Sequence, residues 1–258
     1  MLGVSLITVT YNSQATIADA IRSVASQTYS NIEHVIIDGS STDDTIEIIR
    51  NTPNRISKII SEPDKGIYDA LNKGILNSSG DIIGLLHSDD LLASDIIIEE
   101  ICKKFIKTSA DIVYGDLIYV NNINKDIIVR YWRSRPFDSS LLNKGWMPAH
   151  PTMFVRREVY LKYGQFDLQY KISSDYDLIL RLMQIRNLKI EYLPIVITKM
   201  RMGGVSNRNL RNIYLKSQED YRIMKKNGFS NPLAMLIRKN ISKLRQFIRI
   251  DSSPKLKK

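Results

Sequence analysis

The sequence predicts an α/β fold, a mostly parallel sheet with antiparallel additions, followed by a helical C-terminal tail. Three observations carry that expectation. Short, apolar, β-rich runs alternate with helix-period segments through the first half of the chain, the pattern of βαβ units. The middle departs from this with two β-rich runs on either side of an Asn-rich turn, which reads as an antiparallel hairpin. Past about Lys199 the alternation stops and basic helical segments follow.

Taken in order, Val4–Val9 is the first strand and ends at Thr10-Tyr11-Asn12. Ile17, Ala20, Ile21 and Val24 then recur at helical spacing. Ile32–Ile37 is a second buried strand, ending at Asp38-Gly39. Thr42-Asp43-Asp44 starts a helix carrying Ile46, Ile48 and Ile49. Ile56–Ile60 is a third strand, and Ile67, Leu71 and Ile75 mark a helix closed by the Asn77–Gly80 turn. Ile82–Leu86 is a fourth strand, ending at His87-Ser88-Asp89-Asp90, and Ile96–Phe105 is the helix after it. Ile112–Val120 and Ile127–Trp132 flank the turn with Asn121, Asn122 and Asn124. Pro151–Val155 is a further strand, Asp175–Met183 a helix with Leu178, Ile179 and Leu182 on its apolar side, and Ile190–Ile197 the last strand.

The 258 residues suit one large domain with an appendage. A hydrophobic content of 43% with 25% charged residues rules out bulk disorder and coiled-coil composition. The net charge of +10 invites a nucleic-acid or anionic-membrane partner, but the charge is unevenly placed. Residues 199–258 hold 16 basic and 3 acidic residues, so the first 198 hold 21 and 24. The body is therefore slightly acidic and the tail strongly basic, which divides the chain into a domain over 1–200 and a basic helical extension over 201–258. Cys102 is the lone cysteine, which excludes an intramolecular disulfide and a Cys-based zinc site; on its helical stripe with Ile98, Ile101 and Phe105 it reads as a packing thiol. No basic leader precedes the first strand and no apolar run approaches a membrane span. The expected location is cytoplasmic, peripheral on the cytoplasmic face of the membrane.

Ligands of open α/β sheets bind beyond the carboxyl ends of the strands. Here those ends carry Thr10-Tyr11-Asn12, Asp38-Gly39-Ser40 and His87-Ser88-Asp89-Asp90. Each alone is explained by helix capping; together they suggest a site for a cationic or metal-bound polyphosphate ligand. Neither G-x-G-x-x-G after the first strand, nor G-x-x-x-x-G-K-[ST], nor G-x-S-x-G is present, which disfavours a dinucleotide dehydrogenase, a P-loop NTPase and an α/β-hydrolase. With three His and one Cys, carboxylates remain as general base and as ligands for a hard cation such as Mg²⁺ or Mn²⁺.

VSLITVTYN, VIIDGSSTDDT, EPDKGIYDALNKGI, GDIIGLLHSDD, HPTMFVRREVYLKYGQFD and SSDYDLILRL follow one another from about Val4 to Arg181. In this order they resemble the inverting family-two glycosyltransferases of GT-A fold, and the EPDKGIYDALNKG stretch resembles those that build bacterial surface polysaccharides. The resemblance implies a nucleotide-sugar donor. It puts Thr10 and Tyr11 at the nucleoside pocket and makes Asp38 the acceptor of hydrogen bonds from the base, against an alternative of capping the turn. Gly66, Asn72 and Gly74 match the stretch that packs under the nucleotide; Lys65 and Asp69 are donor contacts or solvated helix-start charges. His87, Ser88 and Asp89 occupy the Asp-x-Asp position, with Asp89 as metal ligand and His87 replacing the first carboxylate, which puts its ribose contact in doubt. Asp90 is a helix cap or an acceptor-side acid. Asp175 matches the catalytic base, although the macrodipole alone would favour an acid there; Asp177 is the next candidate, and Ser174 stands where the family has another acid. Trp146 and His150 fall on the acceptor side, where Trp146 either stacks on sugar or packs and His150 touches diphosphate or metal. His34 receives no role.

In the tail, Leu233, Leu236, Ile237, Ile241, Leu244 and Ile248 recur at spacings of three and four, with Arg238, Lys239, Lys243, Arg245 and Arg249 between them. That is a basic amphipathic helix, suited to an anionic bilayer or to docking on the body. It matches no nucleic-acid motif. The expected activity is metal-dependent inverting transfer of a sugar from a nucleotide-sugar donor to a saccharide, with a lipid-linked saccharide as the expected acceptor. The alternatives are a sugar-phosphate nucleotidyltransferase, whose Gly-rich Arg-containing signature is absent, and a non-catalytic basic membrane-binding module.

Overall fold

The first half of the chain follows the predicted alternation: β1 (Val4–Thr10), α1 (Ile17–Ala25), β2 (Ile32–Asp38), α2 (Thr45–Asn51), β3 (Ile56–Ser61), α3 (Ile67–Leu76) and β4 (Ile82–His87). This is a computed structural model, which describes residues 1–202 and 210–248, with backbone only at 210 and 243–248. The second half adds β5 (Leu91–Leu92), α4 (Ile97–Thr108), β6 (Ile112–Val120), β7 (Ile128–Trp132), β8 (Phe154–Arg156), α5 (Arg157–Tyr163), α6 (Ser174–Met183), β9 (Ile190–Arg201), α7 (Leu210–Lys226) and α8 (Pro232–Ile248).

Among the described residues these strands form one nine-stranded sheet in the order β3-β2-β1-β4-β8-β6-β9-β5, with β7 added on β6. β1 to β4 are mutually parallel, while β8, β7 and β5 pair antiparallel. The strand order reverses between β1 and β4, the topological switch point at which α/β sheets open a crevice. Every residue of β1 is buried, because helices and loops cover both faces of a parallel sheet. Ile7 and Val9 enter one core cluster with α3 and α6, and Val4 and Leu6 enter the other with α4, as the two-residue period of a strand requires.

Two readings of the sequence are corrected. The strand expected over Pro151–Val155 begins within a 3₁₀ turn, His150–Thr152, and strand geometry starts only at Phe154. Pro151 has no N–H for a ladder and its fixed φ suits the start of a turn. The last strand continues past Ile197 to Arg201, because Lys199, Met200 and Arg201 pair with Ile118, Tyr119 and Val120. Pro194 is tolerated inside it because the register with β6 shifts between Tyr114 and Asp116, and a bulge needs no ladder donor there.

The extension packs on the body. Ile223 and Met224 of α7 and Met235 of α8 are buried in the same cluster as α6. Gly145, at φ 72°, lies so close under α8 that an added Cβ would meet the Met235 carbonyl oxygen at 2.6 Å. Lys239, placed on the polar face by the sequence pattern, is 3% exposed. Its Nζ lies 2.7 Å from Asp220 and 3.2 Å from the centre of the Tyr176 ring. The helix therefore docks through Met235 and Lys239 and turns Leu233, Ile237 and Ile241 outward. The side chains of Lys243, Leu244, Arg245 and Ile248, and all of Arg249, lie outside the described residues.

Candidate active site

The crevice at the switch point is built by three strand ends. β1 delivers Thr10 and β4 delivers His87, which pairs with Val9 across the parallel ladder; β2 delivers Asp38 opposite Thr10. The loops beyond them are tied together. Asn12, at φ 47°, accepts from the Thr42 N–H at 2.9 Å, and its own N–H donates to Ser41 Oγ at 2.8 Å. Ser13 Oγ lies 2.9 Å from Ser88 Oγ, joining the β1 and β4 loops. Thr10 Oγ1 is buried with no hydrogen-bond partner among the described residues.

On the β2 side, the Tyr11 ring is 62% exposed, an apolar face free to stack on a base. Gly39 makes room for it: an added Cβ there would lie 2.5 Å from Asp64 Oδ2 and 3.5 Å from the Tyr11 ring. Asp64, which sequence reasoning passed over, thus sits at this pocket; its only signal was membership of the EPDKG stretch. Asp38 is fully buried and accepts from the Ser41 N–H and from the hydroxyls of Ser41 and Ser61. Asp38 thus makes the turn-capping bonds that the sequence offered as the alternative to base recognition. Asp43 caps α2 by accepting from Thr45.

The EPDKG helix start holds its own charges. Lys65 is exposed, its N–H donates to Asp69 at 3.0 Å, and Asp69 lies 3.8 Å from Lys73. Asn72 does not face the crevice. Its amide donates to the Phe166 carbonyl at 2.9 Å and accepts from the Phe166 N–H at 3.0 Å, which uses both of its ends. Gly74 packs where an added Cβ would meet Ile7 at 2.4 Å, so it serves the approach of α3 to β1.

At the β4 end Asp89 is half-buried, and no described residue donates a hydrogen bond to its carboxylate. Its neighbour Asp90 is neither a cap nor an acceptor-side acid. It is 0% exposed with both carboxylate oxygens unpartnered among the described residues, and α4 begins only at Ile97. Pairing of Leu91 with Lys199 draws it inward beneath Asp89. Burial, then the charge of Asp89, push its carboxyl well above the usual range, with Arg201 opposing.

The residues that the resemblance puts on the acceptor side lie before β8 and at the start of α6. His150 is 7% exposed, its Nε2 is buried and unpartnered, and its ring stands edge-on to Phe166 at 5.5 Å. The His87 ring lies 6.5 Å away, with Nδ1 also buried and unpartnered. Burial lowers the pKa of both, that of His150 to about 4, while the charge of Asp175 opposes the shift in each. Both imidazoles are therefore neutral near pH 7, with a lone pair available to a ligand. Trp146 packs edge-on to Tyr114 of β6 at 6.0 Å and along Phe137 at 6.5 Å; of its two readings, packing is the one its contacts display.

Asp175 stands in the first turn of α6. Its Oδ1 accepts from the Tyr176 N–H at 2.8 Å and lies 3.2 Å from the Tyr68 hydroxyl, which also donates to the Ile172 carbonyl at 2.7 Å. Burial, then the charge of Asp175, hold the Tyr68 phenol well above its usual pKa, so it stays a donor. Oδ2 has no partner among the described residues. Asp177, the second candidate base, is withdrawn: it is 0% exposed and ion-paired to Arg181 Nε at 2.7 Å. Ser174 donates to the Asp167 carbonyl and is also turned inward. The structure thus brings His87, Asp89, His150 and Asp175 together and sends Asn72, Asp90 and Asp177 into the framework. Tyr68, a member of the EPDKGIYDALNKGI stretch to which the sequence reading gave no role, joins the site.

The residues fit a divalent cation as an open site. Among the described residues no group of three or more His, Cys, Asp or Glu is placed to hold a metal ion, so a cation here would rest on one or two protein ligands. The half-buried carboxylate of Asp89 and the imidazole nitrogens His87 Nδ1 and His150 Nε2, which have no hydrogen-bond partner among the described residues, are the available donors. Magnesium and manganese sites of this kind take one or two carboxylates and complete their shell with substrate phosphate and water.

Comparison with known proteins bears on what this crevice does. The model of the family "Glycosyl transferase family 2" matches residues 5–164. The PGL/p-HBAD biosynthesis glycosyltransferase of Mycobacterium bovis (strain BCG / Pasteur 1173P2) is 29% identical over 82% of each chain. The UDP-Glc:alpha-D-GlcNAc-diphosphoundecaprenol beta-1,3-glucosyltransferase WfgD of Escherichia coli is 26% identical over 84% of each chain. The structure of S. aureus TarS 1-349 in complex with UDP-GlcNAc matches 96% of this chain and 72% of its own with a TM-score of 0.68, at 18% identity, a likeness of fold. Against the longer solved TarS chain, this one spans 43% of the length.

Proposed function

The chain belongs to glycosyl transferase family 2 and is a glycosyltransferase of GT-A-like fold, and from this premise we propose that it moves a sugar from a nucleotide-sugar donor to a saccharide acceptor in surface-glycan synthesis, by inversion and with a divalent cation. The observation that carries the chemistry is that Asp89, just after β4, and Asp175, in the first turn of α6, both lie close enough to His87 for their charges to act on its imidazole, with Asp175 Oδ2 free of hydrogen bonds among the described residues.

The nucleoside lies over the β1 and β2 ends, with Tyr11 against the base and Asp64 and Asp38 beneath the turn. The diphosphate lies at Ser88, Asp89 and His87. Asp89, with His87 and His150 as candidate nitrogen donors, would hold the cation, which neutralises the diphosphate and stabilises it as leaving group. Asp175 Oδ2 takes the proton of the acceptor hydroxyl while that oxygen attacks the anomeric carbon. The bond from that carbon to the phosphate oxygen breaks, its electron pair leaves with the nucleoside diphosphate, and one displacement inverts the centre. Tyr68, hydrogen-bonded to Oδ1, orients the carboxylate so that Oδ2 faces the acceptor. Neither nucleotidyl transfer nor a non-catalytic role is favoured by the family match. The test is a panel of nucleotide sugars, including UDP-glucose and UDP-N-acetylglucosamine, assayed with Mg²⁺ or Mn²⁺ for release of nucleoside diphosphate. Release from at least one is expected; pyrophosphate release from nucleoside triphosphates instead would overturn the reading.

A lipid-linked acceptor, as in the name of the WfgD relative, would be met at a membrane surface. No described helix is long and apolar enough to cross a membrane. The outward stripe of Leu233, Ile237 and Ile241, each more than half exposed, beside exposed Arg238 supports a peripheral seat on the cytoplasmic leaflet. Vesicles containing phosphatidylglycerol are expected to bind the protein, and Ile237→Asp with Ile241→Asp to weaken that binding by about tenfold or more. Equal binding by wild type and variant in a vesicle sedimentation assay would remove the stripe from this role.

A further inference from the structure

We propose that Glu219 of α7 is a positioning residue for transfer, holding the turn that carries Asp175. The proposal rests on Asp175 being the base. The turn before α6 is short of local support. Ser173, the residue preceding the helix, makes no side-chain cap, and its hydroxyl is buried without a partner among the described residues. Three successive backbone donors there are satisfied from elsewhere. The N–H of Lys171 donates to Glu219 Oε1 at 2.9 Å, and those of Ile172 and Ser173 donate to Oε2 at 2.9 Å each. Consecutive N–H groups of this kind form an anion cradle, and hydrogen bonds to a carboxylate are stronger and more directional than neutral ones.

The same turn is gripped at its other atoms. The Ile172 carbonyl accepts from Tyr68, whose hydroxyl also lies at Asp175 Oδ1. The residue after Asp175, Tyr176, has its ring under Lys239 of α8, and that lysine is anchored by Asp220, the neighbour of Glu219. Two adjacent acids on α7 thus brace the base from both sides, one through backbone and one through a lysine. In this arrangement the extension is part of the catalytic apparatus. Its loss displaces Asp175 without touching the donor pocket at β1, β2 and β4.

The experiment compares Glu219→Ala, Glu219→Gln and Asp175→Asn in the full chain. It reads kcat and KM for the nucleotide sugar that supports turnover, the affinity for UDP, and amide hydrogen exchange across residues 171–176. Glu219→Ala is expected to lower kcat by about 10- to 100-fold, the cost of misplacing a reacting group by about 1 Å, with UDP affinity within about twofold of wild type. Exchange should quicken over 171–176 and not in β1 or β4. Glu219→Gln keeps the shape but offers one acceptor oxygen and no charge, so it should fall between, and it carries the test if the alanine variant does not fold. Unchanged kcat in a folded Glu219→Ala beside an inactive Asp175→Asn would overturn the proposal alone. Loss of kcat matched by loss of UDP affinity and faster exchange throughout would reduce Glu219 to general stability. Full turnover in Asp175→Asn would remove the base, and the role given to Glu219 with it.

Discussion

Replacing Asp175 with asparagine is expected to lower the transfer rate by about 10²- to 10⁴-fold, the usual contribution of a positioned general base, while UDP binding stays intact. The asparagine keeps the size of the side chain and an oxygen able to accept from the Tyr176 N–H and face Tyr68, the two contacts that Oδ1 makes. What it loses is the ability to take up a proton. A change confined to kcat therefore separates proton transfer from positioning. The distinction matters because an acid in the first turn of α6 also benefits from the helix macrodipole, and that benefit would appear in thermal stability, not in rate. Initial rates at saturating donor, together with a binding isotherm for UDP, decide the matter. A wild-type rate in the variant would shift the base to another group or to none.

Asp89→Ala is expected to cost several kcal/mol of transition-state stabilisation, about two to three orders of magnitude in rate, and chelation of the wild-type enzyme to do the same. Of the two acids after β4, Asp89 is half-buried and without a hydrogen-bond partner among the described residues, while Asp90 is fully buried. His87 and His150 offer neutral nitrogen, which suits Mn²⁺ at least as well as Mg²⁺, but neither supplies the negative charge that a divalent ion needs from the protein. Titrating Mn²⁺ into UDP-bound enzyme and following its electron paramagnetic resonance gives a readout independent of turnover. Asp89→Ala should lose the bound signal, and undiminished transfer in excess EDTA would sink the metal reading altogether.

Much of the site was legible as a set of positions and little of it as a set of roles. The strand ends at Thr10, Asp38 and His87 could be read from where apolar runs stop, and the reversal of strand order between β1 and β4 makes those ends neighbours. Asp175 and Asp177 show the limit. They are two residues apart on one helix, and a turn of about 200° separates them. Both were candidates; only the packing of α6 on the body sends Asp177 to Arg181 and leaves Asp175 at the crevice. Asn72 matched the stretch that packs under the nucleotide, and the partner its amide meets is Phe166, 94 residues away. Asp90 looked like a cap because it precedes a helix, yet a two-residue strand pairing with β9 buries it.

The amino-acid sequence by itself determined the class of fold, the order of polar strand ends and the division of charge between an acidic body and a basic tail. All of these depend on periodicity and composition, which are local properties of the chain. The tertiary structure alone decided which acids face the crevice and which are consumed by the framework. It also decided that the tail, separable by charge, is joined to the turn around Asp175 by Glu219 and Lys239. A side chain's role is set by the partner it meets after folding, and the partner of the Asp175 turn lies 46 to 48 residues further along the chain, beyond the reach of any local pattern.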